Sequence, residues 1–449
     1  MKKRIQDFFK HYMRRGISFR RCLKELEQAR KYSAQELKNY QMEKLRRTLK
    51  IAFENVPFYM ALSKEKKLGL NDFKTIEDLH KLPIIDKKYV RGNFQSFRNM
   101  NFRGPVFKGL TSGTTGSPAK FLRDLGSINF ENAAIFSQQR WAGVKDNDRR
   151  VWLRGDSVVP ADQRNPPFWR YNRFENQLIM SSYHLAKQYL PSYVEKILEF
   201  GPQLLQAYPS TAYVLSQYLE SKDGYLNIPV VQTSSEPLYE HWRELIIKRL
   251  RTRIIDYYGS AERVNIAQEC PAHEGLHLVS GYGITELIPA AEGAGQENEG
   301  VIVGTALNNF VMPLIRYKTG DVGRFMQFDC PCGCKYPRIY PIETKVENML
   351  VTSEGKYISP SIISFCFKKS QNIEMSQVVQ ESDGGITVKI VRGQKFLARD
   401  GEKIARSMRD ILGADMDVTI QYVDDIQRSK NGKFQFIISK KSNSLNGES

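Results

Sequence analysis

The sequence predicts an α/β protein of two unequal domains, and three observations predict it. Apolar runs such as VVQTSS, RIIDYYGS and VIVGTAL end in small or polar turn residues and alternate with helical stretches such as EHWRELIIKRL. The chain has 449 residues, 41% of them hydrophobic, which suits one large core and a smaller companion, because single cores rarely grow past about 250–300 residues. After residue 343 the pattern changes: MLVTSEGKYISP, ITVKIVRG, a helical run around EKIARSMRDILG and then VTIQYVDDI read as a small α+β unit. The expected domains are residues 1–342, with a basic helical head, and residues 343–449, a small mobile lid.

Residues 34–55, AQELKNYQMEKLRRTLKIAFEN, place apolar residues at helical spacing and stop before Val56-Pro57, where proline favours extended backbone ahead of it. The stretch AEGAGQENEG at 291–300 reads as a surface loop, since strand-like VIVGTAL follows at once. The tail SNSLNGES is expected to fray.

Charged residues make up 26% of the chain and are spread through it, as in a folded soluble protein. No run approaches the roughly 18 apolar residues of a membrane span, and MKKRIQDFFKHYMRRG lacks the core and cleavage site of a signal peptide, so the cytoplasm is the expected address. The net charge is +18, densest where Lys2, Lys3, Arg4, Lys10, Arg14, Arg15, Arg20, Arg21 and Lys24 interleave with Phe8, Phe9, Tyr12 and Phe19. Residues 1–30 therefore suit peripheral contact with an anionic membrane at its inner face, or a solvated face packed on the main domain. No nucleic-acid partner is expected, because no zinc-finger, helix-turn-helix or RNA-recognition signature accompanies the charge.

The sharpest local signal is Thr111-Ser112-Gly113-Thr114-Thr115-Gly116-Ser117-Pro118. Two glycines admit close approach of a ligand and the hydroxyls supply short donors, which suits phosphate oxygens as well as an ordinary flexible turn. Without a Lys-Ser/Thr ending it is not a Walker loop. TSGTTGSP resembles the phosphate loop of the adenylate-forming superfamily of acyl-CoA synthetases and related ligases. Four further segments resemble that superfamily in the same order: Ser234-Ser235-Glu236-Pro237, Tyr257-Tyr258-Gly259-Ser260-Ala261-Glu262, Arg316-Tyr317-Lys318-Thr319-Gly320-Asp321, and Arg428-Ser429-Lys430-Asn431-Gly432-Lys433. Within it, FENVPFY, LPIIDKKYVRGNF, SSEPLYEHWRELI and MPLIRYKTGD are most similar to phenylacetate-CoA ligase-like proteins of the capsular polysaccharide branch, across residues 35–440.

The resemblance implies a large multi-sheet adenylating domain and a mobile C-terminal domain that together use ATP and Mg²⁺ to make an acyl-AMP. Attack of a carboxylate on an α-phosphate brings two anions together, so positioning and charge neutralisation must do the work. The resemblance gives the neutralising ammonium to Lys433, Mg²⁺ to Glu262 and the ribose hydroxyls to Asp321. The remaining ATP-binding residues it implies are Thr111, Ser112, Gly113, Thr114, Thr115, Gly116, Ser235, Glu236, Pro237, Tyr257, Tyr258, Gly259 and Lys345. Each charged residue also has a plainer reading: Lys433 as a surface lysine, Glu262 as a helix-start glutamate, Asp321 as a turn aspartate. Two departures stand out. The hinge of the superfamily, Gly-Arg-x-Asp-Asp, is replaced by Thr344-Lys345-Val346-Glu347-Asn348, and Ala119 stands where a lysine usually follows the loop.

The partner expected is a small-molecule carboxylic acid, with pocket residues drawn from WLRGDSVVP, FWRYNRF and AYPSTAY, a mixture that suits an aryl acid or a sugar acid. The acceptor implied is CoA, with a carrier protein or an amine or sugar of surface polysaccharide synthesis as the alternative, and a non-catalytic nucleotide-binding assembly factor as the rival from another class. Six cysteines in a chain this long do not make a disulfide scaffold. Cys270, His277, Cys330 and Cys332 offer three thiolates and an imidazole to a structural Zn²⁺, with Cys334 or His273 as substitutes, or else they are reduced thiols about a tight turn.

Overall fold

The computed structural model describes residues 2–110, 120–156, 158–160, 163–182, 184–185, 188–289, 298–342, 350–352, 357–358, 363, 366–367, 373–394, 396–427 and 434–441. The loop at 111–118, most of the 291–300 loop, Lys345, Lys433 and the tail lie outside the described residues.

Helices α1 (Lys2–Arg15) and α2 (Ile17–Ala29) form the head, followed by α3 (Ala34–Asn55) and α4 (Pro57–Glu65). The limits of α3 are chemical: Ser33 and Glu36 form a reciprocal capping box, and extended Val56 precedes Pro57, which opens α4 at a position that needs no N–H. After α5 (Lys87–Gly92), the hairpin β1 (Val106–Leu110) and β2 (Lys120–Asp124) flanks the 111–118 loop. Asp124 then caps α6 (Leu125–Trp141) by accepting from Ser127 N at 2.7 Å.

The parallel part of the main sheet alternates strands and helices: β3 (Arg150–Arg154), β4 (Trp169–Asn172), β5 (Gln177–Ser181), α7 (Leu190–Phe200), β6 (Leu204–Ala207), α8 (Pro209–Ser221), β7 (Val230–Ser234), α9 (Glu240–Leu250) and β8 (Arg253–Gly259). It continues through β9 (Ile266–Glu269), β10 (Leu276–Leu278), β11 (Gly283–Ile288), β12 (Glu299–Ala306), β13 (Tyr317–Met326) and β14 (Arg338–Ile339). These make one twelve-stranded sheet, ordered β11-β12-β13-β14-β10-β9-β8-β7-β6-β3-β5-β4. Strands β5, β3, β6, β7 and β8 run parallel, and the pairings from β8 through β9 to β11 are antiparallel. The central parallel strands β6 and β7 are wholly buried, as two helix-covered faces require, with Gln206, Gln232, Thr233 and Ser234 among their buried residues.

Beyond the short pair β15 (Leu350–Val351) and β16 (Tyr357–Ile358), the C-terminal segment builds its own four-stranded sheet. It consists of β17 (Ile373–Gln380), β18 (Ile386–Arg392), α10 (Ala398–Leu412), β19 (Val418–Val423) and β20 (Ile437–Ser439), in the order β19-β18-β17-β20. Its core meets α9 through rings, with Phe436 at 5.1 Å from Tyr239, the α9 cap, and Phe434 at 6.0 Å from Trp242.

The head packs on the main body. Phe19, Leu23, Leu26 and Ala29 are buried, with Phe19 against Phe136 of α6 at 5.7 Å. Arg15 pairs with Glu175 at 2.7 Å and Asp7 with Arg170 at 2.6 Å. One face of the head is packed, as one of the sequence expectations has it, while Tyr12, Arg14, Arg20, Arg21 and Lys24 face outward. Among the described residues no helix is long and apolar enough to cross a membrane.

Candidate active site and metal centre

In a parallel sheet, connections leave the carboxyl ends of the strands on one edge, and ligands bind there. Of the motif segments, those around Ser234, Tyr257 and Asp321 are described, and they meet at that edge; 111–118 and 428–433 lie outside the described residues. The β7–β8 register sets Ser234 opposite Tyr257. Ser235, directly after β7, takes a left-handed backbone with φ +72°, a conformation uncommon outside glycine and typical of constrained sites.

Arg154, the last residue of β3, joins these pieces. Its Nη2 donates to Ser234 Oγ at 2.8 Å and to Ser235 Oγ at 2.7 Å, and its Nη1 to the Tyr257 hydroxyl at 3.2 Å. Sequence reasoning had only placed the WLRGDSVVP segment near the acid and had no role for this side chain; aromatics beside an arginine were the signal.

Two phenol–carboxylate pairs complete the edge. Tyr258 donates to Asp321 Oδ2 at 2.6 Å, and Tyr317 donates to Glu262 Oε1 at 3.0 Å. Burial first, and then the adjacent carboxylate, hold both phenols well above their ordinary range, so each remains a donor. Asp321 follows Gly320, whose φ of +84° turns β13, and its N–H donates to Thr319 Oγ1 at 3.1 Å. Tyr317 was not singled out in the sequence, although it lies in the RYKTGD segment. Gly259 ends β8 at the exposed rim, and Pro237 is half-buried behind Ser235.

Glu236 behaves differently. Its carboxylate turns inward, accepting from Ser210 N at 3.1 Å and from Phe434 N at 2.8 Å. The first donor opens α8, where the helix dipole favours an anion; the second is the residue after Lys433. One buried side chain thus ties the β7 turn to the C-terminal segment.

A separate centre gathers Cys270, His277, Cys330 and Cys332, whose ligand atoms all lie within 4.8 Å of one another. Cys270 follows β9 and His277 sits in β10; their antiparallel pairing brings them together, while the Cys330–Cys332 turn precedes β14 on the other side of β10. The Cys270 and Cys330 sulfurs are 3.6 Å apart, and Cys332 Sγ is 3.4 Å from His277 Nε2. A tetrahedral ion with Zn–S of about 2.3 Å and Zn–N of about 2.0 Å sets edges of about 3.8 Å and 3.5 Å, so the residues fit zinc. Burial lowers the His277 pKa to about 4, leaving a neutral imidazole, and pushes the Cys270 thiol up to about 12 in the absence of a cation. His273, the sequence alternative, contacts Glu269 at 3.1 Å instead.

The comparisons agree with this architecture. A family model described as the CapK C-terminal domain matches residues 350–440. Over the whole chain the sequence is similar to protein CapK of Staphylococcus aureus, 23% identical with 97% of this chain and 93% of that protein covered. It is also similar to the phenylacetate-coenzyme A ligase of Thermus thermophilus, 22% identical with 90% and 96% covered. Among solved structures, 2-hydroxyisobutyryl-CoA ligase in its postadenylation state superposes with a TM-score of 0.71 at 17% identity, covering 93% of this chain and 92% of that one.

Proposed function

The chain carries a CapK C-terminal domain and has the fold of the adenylate-forming superfamily, and from that premise we propose that it is an AMP-forming carboxylate ligase. ATP and a small carboxylic acid bind at the carboxyl edge of the main sheet. A carboxylate oxygen forms a bond to the α-phosphorus, the bond from that phosphorus to the bridging oxygen breaks, and pyrophosphate leaves. The acyl-AMP then passes its acyl group to a thiol, that of CoA, and AMP is released. The first-named relative, a CapK protein, supports a second acceptor, an amine or sugar of surface polysaccharide synthesis.

The observation that carries this reading is the hydrogen bond from Phe434 N to Glu236 at 2.8 Å, which draws the residue following Lys433 to the turn beside Ser235. It supports Lys433 as the ammonium that neutralises charge where acid and nucleotide meet. Asp321, oriented by Tyr258, has the chemistry to accept from ribose hydroxyls. Glu262, oriented by Tyr317, offers the hard oxygen that Mg²⁺ prefers; when bound, the ion would neutralise phosphate charge. The residues of the 111–118 loop, with Tyr257, Gly259, Pro237 and Lys345, complete the ATP site in this reading.

Cys270, His277, Cys330 and Cys332 would hold a structural zinc that cross-links β9, β10 and the turn before β14. The outward Arg14, Arg20, Arg21 and Lys24, with Tyr12 66% exposed, support a cytoplasmic protein that touches anionic membrane peripherally.

Acid-dependent exchange of labelled pyrophosphate into ATP tests the main reading. Exchange with at least one acid of a broad panel, abolished by Lys433→Ala, is expected. A folded wild type that exchanges with none favours the nucleotide-binding assembly factor.

A further inference from the structure

Arg154 gives its direct hydrogen bonds to neutral groups, with Asp156 the acid whose field supports its charge. The guanidinium lies 5.1 Å from the ring centres of both Trp152 and Tyr208, a cation–π arrangement that leaves hydrogen bonding to its N–H edges. Of the five N–H groups of an arginine, three are engaged, all by the neutral hydroxyls of Ser234, Ser235 and Tyr257. Nε–H and one Nη1–H remain. Asp156, the acid two residues on, accepts from Trp152 Nε1 and supports the Arg154 charge through space, while the hydrogen bonds described for Arg154 go to hydroxyls and none to a carboxylate. A half-buried guanidinium held by rings and hydroxyls, at the ligand-binding edge of the sheet, keeps two N–H groups on opposite sides, each able to give a single charge-assisted hydrogen bond to an oxyanion.

The reacting carboxylate is a poor occupant. A guanidinium hydrogen bond on the attacking oxygen stabilises the ground state and withdraws the lone pair that must reach phosphorus. A carboxylate elsewhere on the same molecule gains the pairing at no such cost. We propose that the acid activated here carries a second carboxylate, and that Arg154 is the residue that reads it. This rests on the acyl-AMP reading above and narrows its substrate class from aryl or sugar acids in general to dicarboxylic acids.

The test uses matched pairs on the full-length protein: glutarate against valerate, and 4-carboxyphenylacetate against phenylacetate. In pyrophosphate exchange, the dicarboxylate of at least one pair is expected to have the higher kcat/KM by about 10- to 100-fold, the range of a charge-assisted contact. Arg154→Met should bring that ratio towards one, and Arg154→Lys should leave it partly intact. Calorimetric binding of the same acids without ATP gives a readout independent of chemistry. If exchange is absent but dicarboxylate binding is lost in Arg154→Met, the acyl-AMP reading falls and the anion site stands. If wild type prefers the monocarboxylate in both pairs, or if Arg154→Met raises the KM for ATP equally with every acid, the proposal is overturned.

Discussion

Replacing Glu236 by alanine should loosen the C-terminal segment without unfolding the body. Both N–H groups that its carboxylate accepts belong to buried residues, Ser210 at 3% and Phe434 at 7% exposure. Leaving a buried donor unsatisfied costs about 1–3 kcal/mol. The α8 terminus also loses an anion worth about 0.3–1 kcal/mol. Relief from holding a buried carboxylate offsets part of this. A net of about 2 kcal/mol is expected, and it falls on the joint between β7 and the chain around 434, because the main sheet keeps its own hydrogen bonds. That corresponds to about 30-fold easier local opening. Hydrogen exchange read by mass spectrometry on peptides spanning 434–441 and 373–380 measures it, with Glu236→Gln, which keeps one carbonyl acceptor, falling in between. Unchanged protection in both peptides of a folded Glu236→Ala protein would refute the idea that this carboxylate holds the segment in place.

Two other perturbations read other parts of the molecule. Purified protein should contain about one zinc per chain by elemental analysis, and Cys270→Ser should lose the metal and melt at lower temperature; a wild type that stays metal-free after growth with added zinc rejects the centre. Asp256, in β8, accepts from Thr233 Oγ1 at 2.7 Å, but burial, with Glu269 adding to it, raises its carboxyl to about 7. An unfolded aspartate titrates near 3.9, so between about pH 4 and 7 the folded chain holds a proton that the unfolded chain has released. Stability should therefore fall as pH rises through that window, by up to about 4 kcal/mol at about 1.4 kcal/mol per unit. Urea unfolding at pH 5 and pH 7.5 should show that loss in wild type and a smaller one in Asp256→Asn, and equal slopes would contradict the assignment.

Local chemistry was legible in the amino-acid sequence. The limits of α3 follow from Ser33, Glu36 and Pro57, and α9 coincides with EHWRELIIKRL, because caps, proline and apolar spacing act within a few residues. The candidate metal set could be singled out for a related reason, since cysteine and histidine announce their chemistry by type, and the structure brings Cys270, His277, Cys330 and Cys332 together. The burial of one face of the basic head was legible only as one of two alternatives, since Arg15 finds Glu175 160 positions away.

Tertiary structure alone decided which side chains answer one another. Glu236 reads as a nucleotide-side residue in sequence, yet its carboxylate reaches Ser210 and Phe434, the latter 198 positions away. Cys270 and His277 are selected together by the β9–β10 register, while His273 turns to Glu269. Arg154 acquires its role only when three strands set Ser234, Ser235 and Tyr257 around it. Propensity and capping energies depend on neighbours in the chain, whereas ion pairing, thiol clustering and the partners of a buried guanidinium depend on neighbours in space, and folding creates those.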